Sequence, residues 1–477
     1  MFFCFKSTAA ARHFPVSAAA CCALALSACG GGGAAGNEST SPPKITAQPH
    51  STQVAVGTDA TFAISATGAG TPRFQWTRNG VAIPGATASS YVRPNVQPSD
   101  SGEVIRVEVS NSNGTTTSAA ATLSAQGPGI HQFAGTLSTA GLADDSHGSA
   151  DGLGQEARFL IPNGLAMDGA GMLYVADFSS YTMRKITPVG MSSTVAGMPL
   201  VPGRTDGRGA AARFMHPKHL AATRAGTVYL QDTSLNENFP IRKISADGTV
   251  TTLDVPRDPS ETNADGTPAA VAIWDFAVDS IDNLYIITRA DMIGRCPPST
   301  PGPSCAGTYQ RYAVRKFSPG GAVTTVISNE SMYAQTKQWF VPFAVVADSD
   351  GNVFVSNGPQ IIKINNAGAI TPLAGDKSLA GTADGTGDLA RFTSVYHMAF
   401  GPQGNLFVID GSYVNPQRIR KISPTGVVTT VAGSEVAGVT VAGNLPGSLT
   451  RLSGLAIDSN GHLFVSTTRA ILRIVVP

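Results

Sequence analysis

The chain has 477 residues, enough for two or more domains, and its 42% hydrophobic content can fill sizeable cores. Charged residues make up only 14%, while 52 Gly and 31 Pro imply many turns, a composition that points to an all-β chain. The 33 basic residues nearly cancel the 32 acidic ones, which excludes a global field for nucleic acid or an anionic membrane and leaves partners to be sought locally.

Residues 1–28 read as a targeting segment. Lys6, Arg12 and His13 precede the apolar run "VSAAACCALALSA", long enough for a signal-peptide core and too short to span a bilayer. The run closes on Leu26-Ser27-Ala28-Cys29, which resembles the lipobox of bacterial lipoproteins. That resemblance implies cleavage before Cys29, lipidation of its thiol and anchoring in the cell envelope. Gly30 stands where inner-membrane members usually carry Asp, so the outer membrane is expected. Residues 29–42 then form a Gly/Ser-rich tether. Beyond Cys29 the only cysteines are Cys296 and Cys305, in the loop "RCPPSTPGPSCAG". In an exported protein this pair predicts a disulfide, since a metal pair would need two more soft ligands nearby.

Residues 43–125 alternate short β-branched segments such as "TFAIS" and "RVEVS" with turns. "ITAQPHSTQVAVG", "FQWTRNGVAIPGAT" with Trp76, and "PSDSGEVIRVEVSNSNG" resemble a bacterial immunoglobulin-like domain. The family's cysteine positions fall on Ile64 and Val107, and its corner tyrosine on Ile105, so a packed rather than bridged core is implied. The expected role is a spacer.

After "QGPG" a repeat begins. "DGLGQEARFLIPNGLAMDGAGMLYVAD" at Asp151 returns at Asp206 and Asp384, each time with Asp-Gly seven residues before Arg-Phe. Each unit reads as four short strands, as in "GLAMD", "LYVAD", "MRKI" and "STVAG", and six third strands can be counted. This resembles the NHL-repeat family of six-bladed β-propellers over residues 129–477. The sixth unit lacks a fourth strand, and "IHQFAGT" at Ile130 is a spare strand of that type, so an N-terminal strand should close the ring. The expected fold is all-β: an immunoglobulin-like sandwich, then a closed six-bladed propeller.

The repeated motif itself reads as scaffold. Asp151, Asp206 and Asp384 should cap local turns, Arg158, Arg213 and Arg391 should bind neighbouring carbonyls or carboxylates, and Phe159, Phe214 and Phe392 should wedge between blades, with Trp339 doing so in the fourth unit. The column Lys185, Lys243, Lys316, Lys363, Lys421 and Arg473 should be a solvated strand edge.

Function should lie where units differ, on the face carrying "DTSLNENFP", the cysteine loop and "DGSYVNPQR". Inner strands start at that mouth. Aligned, they place Asn163, Lys218, Trp274, Phe343, Tyr396 and Ser453 in one column and Gly164, His219, Asp275, Ala344, His397 and Gly454 in the next. Two readings follow. In the first, a membrane-tethered scaffold uses Asn163, Lys218, Trp274 and Tyr396 to bind a glycan, peptide or protein. In the second, His219, Asp275 and His397 hold a divalent metal in a propeller hydrolase or lyase, as the resemblance to zinc-bearing lyases and calcium-bearing lactonases implies. No cofactor beyond that metal and no nucleic-acid partner is expected.

Overall fold

The structure is a computed structural model and describes residues 41–477 except 138–147, 234–239, 257, 297–306, 413–415, 435–439 and 441. The leader, Cys29 and most of the tether lie outside the described residues, as do Cys305 and much of the three long loops.

The fold is all-β. The first part is a sandwich whose larger sheet runs Thr52–Ala55, Ala121–Gln126, Val104–Asn111, Arg73–Arg78 and Val81–Ala82, facing the pair Ala60–Ala63 and Ser90–Arg93. Strand alternation puts Ile105, Val107 and Val109 on one face, and these pack with Phe62, Ile64 and the fully buried Trp76. Trp76 Nε1 donates to the carbonyl of Ala88 at 2.9 Å, so the indole is buried with its polar edge satisfied.

The second part is a ring of six antiparallel sheets. The inner strands are Pro162–Met167, Pro217–Ala222, Ala270–Val278, Pro342–Ala347, Val395–Phe400 and Gly454–Ile457; each meets the next and the last meets the first. In the sixth sheet the outermost strand is Gly129–Gly135, paired antiparallel with Ala470–Val475. The N-terminal strand therefore closes the ring and covers the edge that Ala470–Val475 would otherwise expose.

Phe159, Phe214 and Phe392 are fully buried between blades, as expected. Arg158, Arg213 and Arg391 donate to nearby carbonyls, among them those of Ala157, Ala212 and Ala390. The aspartates behave differently from the local-turn expectation. Asp151, Asp206 and Asp384 reach back to the third strand of their blade and bind Arg184, Arg242 and Arg420 at 2.7, 2.7 and 2.8 Å. These arginines are buried at most 1% exposed, and the second-strand carboxylates of Asp177, Asp232 and Asp410 flank them from the other side. A turn cap would need only a nearby amide; here the carboxylate neutralises a charge that burial would otherwise penalise heavily.

Two further expectations change. Trp339 is 39% exposed, and the adjacent Phe340 is the buried residue. The lysines of the third-strand column keep contact with solvent, but Arg473 is 5% exposed. It turns to the sandwich, where its guanidinium donates to the side chain of Gln126 and to the carbonyl of Gln53.

The third blade is the irregular one. Its middle strands, Leu284–Ile293 and Thr308–Phe317, are twice the length of their counterparts, and a helix, Asn329–Thr336, follows its outer strand. Ser328 caps that helix, accepting from the backbone of Ser331. Cys296 lies beyond the extension and is disulfide-bonded.

Candidate functional site

The inner strands do not run evenly to the mouth. In five of six blades the register with the second strand slips within the first residues: between Pro162 and Leu165, Pro217 and Leu220, Ile273 and Asp275, Pro342 and Val345, and Val395 and His397. Each slip is a β-bulge, which twists the strand and re-aims its side chains. Asn163, Lys218, Trp274, Phe343 and Tyr396 all sit in these bulges. Period-two reasoning alone could not place them.

Bulging also explains the small residues of the neighbouring column. A Cβ on Gly164 would stand 2.3 Å from the carbonyl oxygen of Lys218, and one on Gly454 would stand 2.4 Å from that of Asn163. Inner strands approach too closely there for any side chain. His219, Asp275 and His397 occupy the same column where there is room, and all three line a channel of about 230 Å³ on the axis. Below them the channel wall is aliphatic, with Leu165, Leu220, Val345 and Met398.

The structure therefore brings the second-column trio together. The His219 and His397 rings are 5.6 Å apart at their centroids, and His219 Nδ1 lies 3.7 Å from Asp275 Oδ1. Asp275 Oδ2 accepts from the backbone of Val345 at 2.9 Å, which ties the carboxyl to the next blade. Among the described residues no group of three or more His, Cys, Asp or Glu is disposed to hold a metal ion. Burial pushes the Asp275 carboxyl up to about 7, and pushes His397 down to about 4 with help from the Lys218 charge. His219 is driven well below its ordinary value by the same causes. Lys218 is itself lowered by burial, against the pull of Asp275.

Above this cluster lies a line of aromatic rings. Tyr312 meets Trp274 edge-on at 5.9 Å, Trp274 meets Phe343 at 5.9 Å, and Phe343 meets Tyr396 edge-on at 5.5 Å. The line crosses three blades. Arg289 lies over the Trp274 ring at 5.3 Å and pairs with Asp291 at 3.0 Å. Tyr396 is 39% exposed, whereas Trp274 and Phe343 are half-buried. Asn163 stands across the mouth, with its backbone carbonyl accepting from the Ser466 hydroxyl at 2.5 Å.

A larger cavity, about 650 Å³, opens at the opposite end among the tight hairpins. Two of its carboxylates are occupied. Asp279 accepts from Ile281, Asn283 and the Tyr285 hydroxyl, and Asp348 from Asp350 and Asn352. That end is held together by its own turns.

Residues 42–115 match the family model described as Immunoglobulin domain. No curated protein matches the sequence. Among solved structures, a protein of unknown function from Bacteroides thetaiotaomicron has a TM-score of 0.50 at 16% identity, covering 92% of this chain and 99% of that one. An auxiliary nutrient binding protein from the same organism (TM-score 0.50, 14% identity) covers 91% of this chain and 97% of its own. One from Bacteroides ovatus, with the same score and identity, covers 91% and 98%. At such identities the likeness is one of fold.

Proposed function

We propose that this protein is an extracytoplasmic binding scaffold of the NHL-propeller type, tethered to the envelope through Cys29, whose propeller mouth recognises a ligand. The observation that carries the reading is the aromatic line Trp274–Phe343–Tyr396, which crosses three blades at the same bulge register that holds Lys218 in the second. Aromatic rings at the mouth, of which Tyr396 is the most exposed, suit sugar rings, which present flat C–H faces and hydroxyl edges. A glycan is therefore the first ligand class, and a peptide or protein is the other outcome of the same screen. The name of two similar structures, nutrient binding proteins, agrees with a capture role. The sandwich would then serve as a spacer between membrane and mouth.

A screen of purified residues 43–477 against immobilised glycans and peptides tests the proposal. Expected is a hit on the glycan set that Trp274→Ala abolishes; binding that survives Trp274→Ala would remove the mouth from the reading. Loss of palmitate labelling in a Cys29→Ser variant of the full chain checks the anchor. No observation favours the metal-dependent hydrolase or lyase over this reading.

A further inference from the structure

We propose that the cleft between the second and third blades binds a small carboxylate with an apolar body, seated on the buried guanidinium of Arg315. The argument rests on comparing equivalent positions around the ring. Arg184, Arg242 and Arg420 lie opposite Val175, Leu230 and Val408, and two residues further along the second strand stand Asp177, Asp232 and Asp410. Arg315 lies opposite Ile286 in the same register, but two residues on stands Thr288. Thr288 is 1% exposed, and its hydroxyl has no hydrogen-bond partner among the described residues.

The wedge is missing as well. Pro162, Pro217 and Val395 pair with those three aspartates, and three residues before them stand Phe159, Phe214 and Phe392, each with its blade's arginine stacked over the ring. Ile273 pairs with Thr288, and three residues before it is Ala270, which is exposed. Arg315 leans on Phe317 of its own strand instead. The result is a cavity of about 540 Å³ lined by Arg315, Thr288, Val255, Val271 and Ile273, with the exposed Arg204 and Asp254 at its edge.

Arg315 is 5% exposed and donates to the carbonyl of Pro256 at 2.7 Å; among the described residues it makes no ion pair. Asp258 and Glu261, whose charge reaches Arg315, make their ion pairs with Arg311, which Glu330 also holds, and the second oxygen of Glu261 has no hydrogen-bond partner among the described residues. The fold does not need an arginine here, for the fourth and sixth blades carry Ile362 and Leu472 at this register. A buried guanidinium that feels carboxylates only at a distance and touches none among the described residues, beside an unpartnered hydroxyl and a cavity, is a cradle for the group that other blades supply in direct contact. One guanidinium and one hydroxyl match the two oxygens of a monocarboxylate. The aliphatic walls would accept its chain and would disfavour the second charge of a phosphate.

Calorimetric titration of the purified protein with hexanoate, hexanamide and inorganic phosphate tests this. Expected is saturable binding of hexanoate alone, weakened at least tenfold in Arg315→Gln. Thr288→Asp keeps the fold testable, because it installs the carboxylate found in three other blades; it should raise the melting temperature and abolish hexanoate binding. Hexanamide binding as well as hexanoate, preference for phosphate, or Thr288→Asp with unchanged hexanoate affinity would each overturn the proposal.

Discussion

Two regions of this ring bury ionisable groups, and they do so in opposite ways. At the outer connections Arg184, Arg242 and Arg420 each meet two carboxylates and two carbonyls, so their charge is fixed and matched. At the mouth His219, Asp275, His397 and Lys218 crowd together with a 3.7 Å His–Asp approach too long for a strong hydrogen bond. The first arrangement recurs in three blades and makes each blade grip its own entry loop. The second occurs once and leaves protonation states adjustable. Repetition here marks what the ring needs to stand, and departure from repetition marks where something else can be recognised.

The largest effect should come from breaking the ring itself. Deleting residues 129–135 removes the outer strand of the sixth blade, bares the edge of Ala470–Val475 and uncovers Ile474, Leu472 and Phe464. Loss of cooperative unfolding and aggregation on purification are expected, while deletion of residues 43–125 should leave a propeller that melts cooperatively. Equal tolerance of both deletions, read by calorimetry, would break the assignment of closure to this strand.

Next in size is the arginine lock. Arg242→Ala strands the buried Asp232 carboxylate and should cost about 3–5 kcal/mol in denaturant unfolding, as loss of one partner of a buried pair does. Ligand affinity of the protein that remains folded should not change. A cost below about 1 kcal/mol would put the lock in the class of surface pairs.

This lock shows what sequence reading could and could not reach. The thrice-written Asp-Gly…Arg-Phe was plain, as were the phenylalanine wedges, because periodicity and burial follow directly from repetition. The arginine beside each third-strand lysine is harder to read, since a lone Arg in a strand normally reads as solvated. The signal was present, for "MRKI", "IRKI" and "RIRKI" each follow a second strand that ends in Asp. Aligning the inner strands gives the two mouth columns, yet their geometry depends on bulges, which are pairing events between strands and leave no mark within one strand. Trp339 and Phe340 are adjacent aromatic residues that the sequence does not rank for burial, and Arg473 shares the lysines' register although its surroundings are set by a domain some 400 residues earlier in the chain, at Gln53.

A smaller effect separates the two mouth groups by pH. His397 falls from 6.5 to about 4 on folding, so its contribution is present above pH 6.5 and is lost as pH falls, by at most about 3 kcal/mol. Asp275 runs the other way. Its folded value is raised from 3.8 to about 7, so the folded state is penalised above pH 7 and recovers stability on acidification. The two slopes oppose each other between pH 7 and 4. Asp275→Asn should therefore steepen the fall in melting temperature over that range, and His397→Gln should flatten or reverse it. Variants that run parallel to the wild type would show that neither group titrates in that range.

The smallest effect on stability should accompany the largest on recognition. Tyr396 is the most exposed ring of the aromatic line and touches it only through the edge contact with Phe343. It occupies a bulge position, so its side chain does not carry the sheet pairing on either side. Tyr396→Ala should then cost about 0.5–1.5 kcal/mol, the value of one aromatic pair with little burial, and shift melting by only a few degrees. If the mouth is where the ligand stacks, the same change should reduce affinity tenfold or more, since an anchoring ring contributes well above its share of buried area. Phe214→Ala is the opposite case, expected to cost about 3–5 kcal/mol as a fully buried ring while leaving affinity intact. Should affinity follow Phe214 and ignore Tyr396, the repeated connection and not the varied mouth would be the recognition surface.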